Sequence, residues 1–120
     1  MYGLRDDIDL HFLIGRTLIQ VGIGLYQIIF RFDEEVAISV TGEFSFHDEH
    51  SVWVWRPEPG SYAHAARTAS LLGKSIQDLE CNSNGTLTLR FSNDSHLTLL
   101  DNSDEFESYD ITRPGQTIVV

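Results

Sequence analysis

Apolar and polar residues alternate along most of the chain, the period of two at which successive side chains point to opposite faces of a sheet. Ten segments carry it: 17–23, 25–32, 35–40, 43–47, 52–56, 75–81, 86–92, 96–100, 107–111 and 116–120. Turn chemistry separates them, at Gly22/Gly24, Asp33-Glu34, Thr41-Gly42, Asn84-Gly85, Asn93-Asp94 and Pro114-Gly115. Asn84-Gly85 is the strongest of these and predicts a type I′ hairpin. One stretch breaks the alternation. Pro57, Pro59 and Gly60 stop a strand, Ser61 can cap a helix, and 61–72 (SYAHAARTASLL) reads as that helix, closed by Gly73. Its Tyr62, Ala65, Ala66, Ala69 and Leu72 form one stripe for packing on a sheet. A shorter helical turn is expected within 7–13.

The chain also repeats itself. Leu13-Ile14-Gly15-Arg16-Thr17-Leu18 matches Leu71-Leu72-Gly73-Lys74-Ser75-Ile76, glycine on glycine, and Arg31-Phe32-Asp33 through Val40 lines up with Arg90-Phe91-Ser92 through Leu99. Each copy, 13–40 and 71–100, is then a three-stranded meander led in by a glycine. Two copies are too few for a solenoid and predict the two halves of a β-roll, sandwich or partly open barrel. Two linking strands and the helix lie between them, and 107–120 adds a final hairpin. The expected fold is mainly β with one α-helix at 61–72, in a single domain spanning 1–120. The apolar end Ile118-Val119-Val120 must pair with something, and the edge strands permit a homodimer.

Eighteen Asp and Glu against eight Lys and Arg leave a net charge of −10. Such a chain repels nucleic-acid phosphates and anionic lipid, so neither is expected as a direct partner. No apolar run approaches the roughly 20 residues of a spanning helix. The start, MYGLRDDIDL, lacks the pattern of a secretory signal, and the lone Cys81 cannot form an internal disulfide. A reducing cytoplasm is the expected compartment.

Candidate chemistry is sparse. His47-Asp48-Glu49-His50 offers metal-type ligands, but its two His are three apart at a strand end rather than four apart on a helix, and a solvated loop explains it. Gly22-Ile23-Gly24 lacks the third glycine and the helix of a phosphate cradle. Cys81 reads as a small buried filler. No catalytic residue, metal site or cofactor is expected. Val52-Trp53-Val54-Trp55 is sharper: the tryptophans share one face and the valines the other, which fits a central strand covered by the helix, or else a Trp53 or Trp55 anchor at a partner surface. Carboxylates cluster in turns, at Asp94, Asp101, Asp104, Glu105, Glu107 and Asp110 without an intervening cation, and at Asp33, Glu34 and Glu35. They give either a solvated surface or a negative patch that steers a basic protein.

The Gly15-Arg16-Thr17-Leu18 and Gly73-Lys74-Ser75-Ile76 motifs, the phenylalanine-ended strands, Glu107-Ser108-Tyr109-Asp110-Ile111 and the ending Ile118-Val119-Val120 resemble a family of small bacterial immunity-type proteins. These accompany polymorphic or contact-dependent growth-inhibition toxins. The resemblance implies a cytoplasmic, non-enzymatic inhibitor that binds a cognate toxin domain, and its motifs look structural, with Tyr109 packing on the last hairpin. Charge fits the role, since a nuclease toxin is basic and carboxylates can stand where its substrate's phosphates would. Asp101, Asp104, Glu105 and Glu107 are then the expected toxin-binding surface, with Asp33, Glu34 and Glu35, or Asp48 and Glu49, competing. The alternative is a small-ligand-binding β-barrel lined by Trp53, Trp55, Phe30, Phe32 and Phe91.

Overall fold

The computed structural model describes residues 9–58, 60–82, 84–101 and 108–120. All ten predicted segments carry a strand. The first three are β1 (Leu18–Ile23), β2 (Ile28–Phe32) and β3 (Ala37–Val40), followed by β4 (Phe44–His47) and β5 (Val52–Trp55). The second half holds β6 (Ile76–Cys81), β7 (Leu87–Phe91), β8 (His96–Leu99), β9 (Tyr109–Arg113) and β10 (Gln116–Val119). They form two antiparallel five-stranded sheets, sheet 1 in the order β1-β2-β3-β9-β10 and sheet 2 in the order β5-β4-β8-β7-β6. Among the described residues no helix is long and apolar enough to cross a membrane.

Alternation does what the pattern predicts. Ile28, Phe30 and Phe32 of β2 and Leu87, Leu89 and Phe91 of β7 are buried, and one apolar core joins both sheets as a sandwich. Its aromatics fill the space between them: Phe30 meets Phe44 edge to face at 5.7 Å, Phe32 stacks on Phe91 at 6.5 Å, and Phe44 stacks on Trp55 at 5.4 Å. Phe30, Phe32, Phe91 and Trp55 are therefore interior packing, and the lined barrel cavity expected for a ligand is not what they make.

The repeat is longer than the meanders. Sheet 2 read from β6 runs β6-β7-β8-β4-β5, so β4 and β5 stand to it as β9 and β10 stand to sheet 1. Each half-chain builds a meander and then hands its closing hairpin to the other half's sheet. Equivalent backbone bonds recur about the pseudo-twofold: Leu18 N–H donates to Lys74 O and Ile76 N–H to Arg16 O, each at 2.9 Å, while Gly15 N–H reaches Ile76 O at 2.7 Å and Gly73 N–H reaches Leu18 O at 2.8 Å. Gly15 and Gly73 take φ of +87° and +82°, the left-handed turn that lets the chain enter β1 and β6. β1 and β6 even share a register shift after their first residue.

Four local expectations need correction. Residues 62–65 form one α-turn, Tyr62–Ala65, and then tighten into a 3₁₀-helix, Ala66–Leu71. The buried positions are Ala65, Thr68 and Leu71, every third residue as a 3₁₀-helix requires, whereas Tyr62 and Leu72 of the predicted stripe are exposed. Thr68 Oγ1 donates to Ala65 O at 2.6 Å, and Ser70 Oγ to Arg67 O at 3.0 Å, side-chain bonds that compete with the α-helical ladder. In the β6–β7 connection Gly85 is left-handed, at φ +92°, but Asn84 is not, so the pair does not make the type I′ turn, which needs both. β5 is an edge strand, not a central one, and Val52 faces solvent. Cys81 is exposed, because it ends edge strand β6 beyond the register shift, where the strand has left the core.

Candidate functional site

The structure sorts the predicted carboxylates into three kinds. Asp101 is buried, 6% exposed, and accepts a hydrogen bond from Ser108 Oγ at 3.0 Å. It belongs to an internal tie between the sheets, in which Tyr109 Oη donates to Gly85 O at 2.6 Å. Burial first, and then the Asp101 carboxylate, push the Tyr109 hydroxyl well above the usual phenol range. Asp101 is therefore structural and not part of a charged surface. Asp104, Glu105 and Glu107 lie outside the described residues.

Asp33 is also committed internally. Its Oδ1 accepts the Thr17 N–H at 3.0 Å and lies 3.5 Å from Arg16 Nη1, fixing the chain as it enters β1. Ser92 does the same for Ser75 in the second half. Glu34 and Glu35 continue that turn in the left-handed region, both at φ 59°, and project into solvent.

The third kind gathers at one end of sheet 2. β4 pairs with β8 through His47 and His96, so the β4–β5 turn lies beside the β7–β8 turn. Together with Ser70 they line a cleft of about 220 Å³ whose walls are Asp48, Glu49, His50, Asn93 and Ser95. Asp48 shapes its own turn, Oδ1 accepting the His50 and Ser51 N–H groups at 2.8 Å each. Those two backbone bonds, His50's first, hold its carboxyl below the usual aspartate range. Asp94 projects from the adjacent turn at φ 64°, 3.4 Å from Arg90 Nη1. Asp78, Arg90, His96 and His47 then follow one another across the outer face of the sheet.

Trp53 joins this end. Its buried indole N–H lies close enough to the Asp48 carboxylate to favour its charged form, without reaching hydrogen-bond distance. Arg67 covers the ring, Cζ 4.4 Å from its centroid, and the His64 ring stands 5.5 Å away. Of the predicted residues, Asp48, Glu49 and Trp53 are thus brought together, while Trp55 is core. Asn93, Ser95 and Ser70 were missed; the signal for the first two was their alignment with Glu34 and Val36 in the repeat.

A model of a family of unknown function, DUF6188, matches residues 10–120. The chain belongs to that family. No curated protein and no solved structure matches it. The DUF6188 match takes in both half-chains and every strand, so the swapped-hairpin sandwich is the architecture of the matched region as a whole. Among the described residues, His47 and His50 included, no three of His, Cys, Asp and Glu converge as a metal site would need.

Proposed function

We propose that this chain is a non-enzymatic, immunity-type binding protein of a reducing cytoplasm, which neutralises a basic, nuclease-type toxin domain. The observation that supports the reading best is the sheet 2 end, where Asp48 and Glu49 share one turn, Asp94 the next, and Asp78 the same outer face, in a chain of net charge −10. Carboxylates held on turns meet a cationic surface early in an encounter and speed it by long-range attraction. Exposed Glu49 and the half-buried Trp53 supply charge and an aromatic body within one footprint, and a standard interface of about 800 Å² per partner is within reach of the chain.

The test compares wild type with Asp48→Asn/Glu49→Gln, and with Glu34→Gln/Glu35→Gln at the competing surface. A basic protein captured from the source cells at low salt should be released at high salt. Its association with the Asp48→Asn/Glu49→Gln variant should be about two- to tenfold slower at low ionic strength, with a flatter salt dependence. Equal rates for that variant and wild type would remove this surface from the proposal, and slowing by the Glu34/Glu35 pair alone would move it to sheet 1.

A further inference from the structure

The pseudo-twofold gives the acidic cleft a mate, and that mate has the opposite chemistry. It lies at the end of sheet 1, between the β2–β3 turn, the β9–β10 turn and the segment leading into β1. Position for position, Phe12 stands where the acidic cleft has Ser70, Glu34 for Asn93, Val36 for Ser95, Arg113 for Asp48 and Pro114 for Glu49. Arg16 completes the wall. This cleft is the larger, about 450 Å³ against 220 Å³, and falls within the range of about 300–1,000 Å³ typical of small-molecule sites.

Two of the chain's eight Lys and Arg line it, Arg16 with a buried donor left over and Arg113 open to solvent. The Arg16 side chain is 26% exposed; its Nε is buried without a hydrogen-bond partner, and Nη1 reaches Asp33 only at 3.5 Å. Arg113 lies over the Phe12 ring, Cζ 4.3 Å from the centroid, with no carboxylate paired to it among the described residues. A guanidinium carries five N–H donors, and buried donors in native proteins almost always find acceptors. Beside these donors lies an apolar wall of Phe12, Ile14, Val36 and Pro114. Glu34 on the rim and Asp33 behind Arg16 add negative charge, which disfavours a dianion and leaves room for a single one.

We infer that this cleft binds a small monoanion with an apolar body, an aromatic or branched aliphatic carboxylate, its oxygens on Arg16 and Arg113 and its apolar part against Phe12 and Val36. The chain's overall negative charge slows the approach of such a ligand but is screened beyond roughly 8 Å in physiological salt. This inference is independent of the basic-partner reading, whose surface is the other cleft.

Titration of the isotope-labelled full chain, followed by amide and guanidinium nuclear magnetic resonance, tests it with three probes: naphthoate, its uncharged counterpart naphthylmethanol, and inorganic phosphate. Naphthoate should give saturable shifts at the Arg16 Nε–H and at the amides of Ile14, Val36 and Arg113, and the other two probes should not. Arg113 is exposed, so Arg113→Gln leaves the fold intact, which an unchanged spectrum away from the cleft verifies, and it should weaken naphthoate by about tenfold or more. Any of four results overturns the inference: no saturable shift with naphthoate, equal binding of naphthylmethanol, equal binding of phosphate, or unchanged affinity in Arg113→Gln.

Discussion

Neither half of the chain, divided between β5 and the helical turn after it, should fold as a monomer. The first half retains β1, β2 and β3 as a sheet whose β3 edge has lost β9, and its β4–β5 hairpin has lost β8. The stacked pair Phe32 and Phe91 is parted, and so are the four backbone bonds at the pseudo-twofold. A piece of about 60 residues is marginal even with an intact core, and this one keeps only three strands of one sheet and two of the other. Circular dichroism and sedimentation across a concentration series check the outcome. Dilute halves should be unstructured, structure should rise with concentration if at all, and mixing the two halves should restore the native spectrum. A half that unfolds cooperatively as a monomer, at a midpoint independent of concentration, would contradict the exchanged hairpins.

Gly85→Ala should destabilise the protein by about 2–5 kcal/mol, a large share of the roughly 5–15 kcal/mol that holds a domain together. Two costs coincide there. Gly85 sits at φ +92°, and an added Cβ would overlap the Asp101 carboxylate and come within 2.8 Å of Asp101 Cβ. The displaced residue is the one Ser108 bonds, and the Gly85 carbonyl is the acceptor for Tyr109, so the tie between the sheets loosens with it. Gly15→Ala and Gly73→Ala isolate the backbone part, since their φ values are similar and nothing lies within 4 Å of an added Cβ. Each should cost about 1–2 kcal/mol. Denaturant melts of the three variants decide the matter: a Gly85→Ala loss no greater than the Gly15→Ala loss would mean that Asp101 yields freely.

How much of the fold could be read from the chain depends on the range of the interactions involved. Strand positions are local, because a residue such as Phe30 or Leu89 declares its face through its neighbours, and all ten were legible. The first part of the repeat was legible too, since Gly15 and Gly73 must be glycine for the same reason. The exchange of hairpins was not. Phe44-Ser45-Phe46-His47 and Tyr109-Asp110-Ile111-Thr112 are equivalent in register but share only their alternation, and which sheet a hairpin joins depends on distant partners. The alanine-rich 61–72 segment promised an α-helix by composition, but Thr68 and Ser70 bond back to the main chain and tighten it.

The exposure of the carboxylates follows the same logic. Asp101 looked exposed because Asp104, Glu105 and Glu107 follow it in the chain, yet its environment is set by Ser108 and Gly85. Asp48 and Glu49 are exposed as their place in a turn predicts, because turn residues project whatever lies beneath them. In a chain dominated by acid, Arg16 stood out only as part of the repeat and Arg113 not at all, and only the fold brings them to one cleft with Phe12.

The exchanged hairpins also bear on how the protein is made. β3 leaves the ribosome roughly seventy residues ahead of β9, its partner in sheet 1, as the pairing of Ile38 with Ile111 requires. The β4–β5 hairpin likewise waits for β8. Sheet 2 has all its strands once β8 has emerged, but sheet 1 waits for β9 and β10, the last two strands in chain order. Completion of sheet 1 is thereby deferred until β9 and β10 are out, and a product terminated before them is left with the open edge of β3, a ready substrate for chaperone capture and proteolysis.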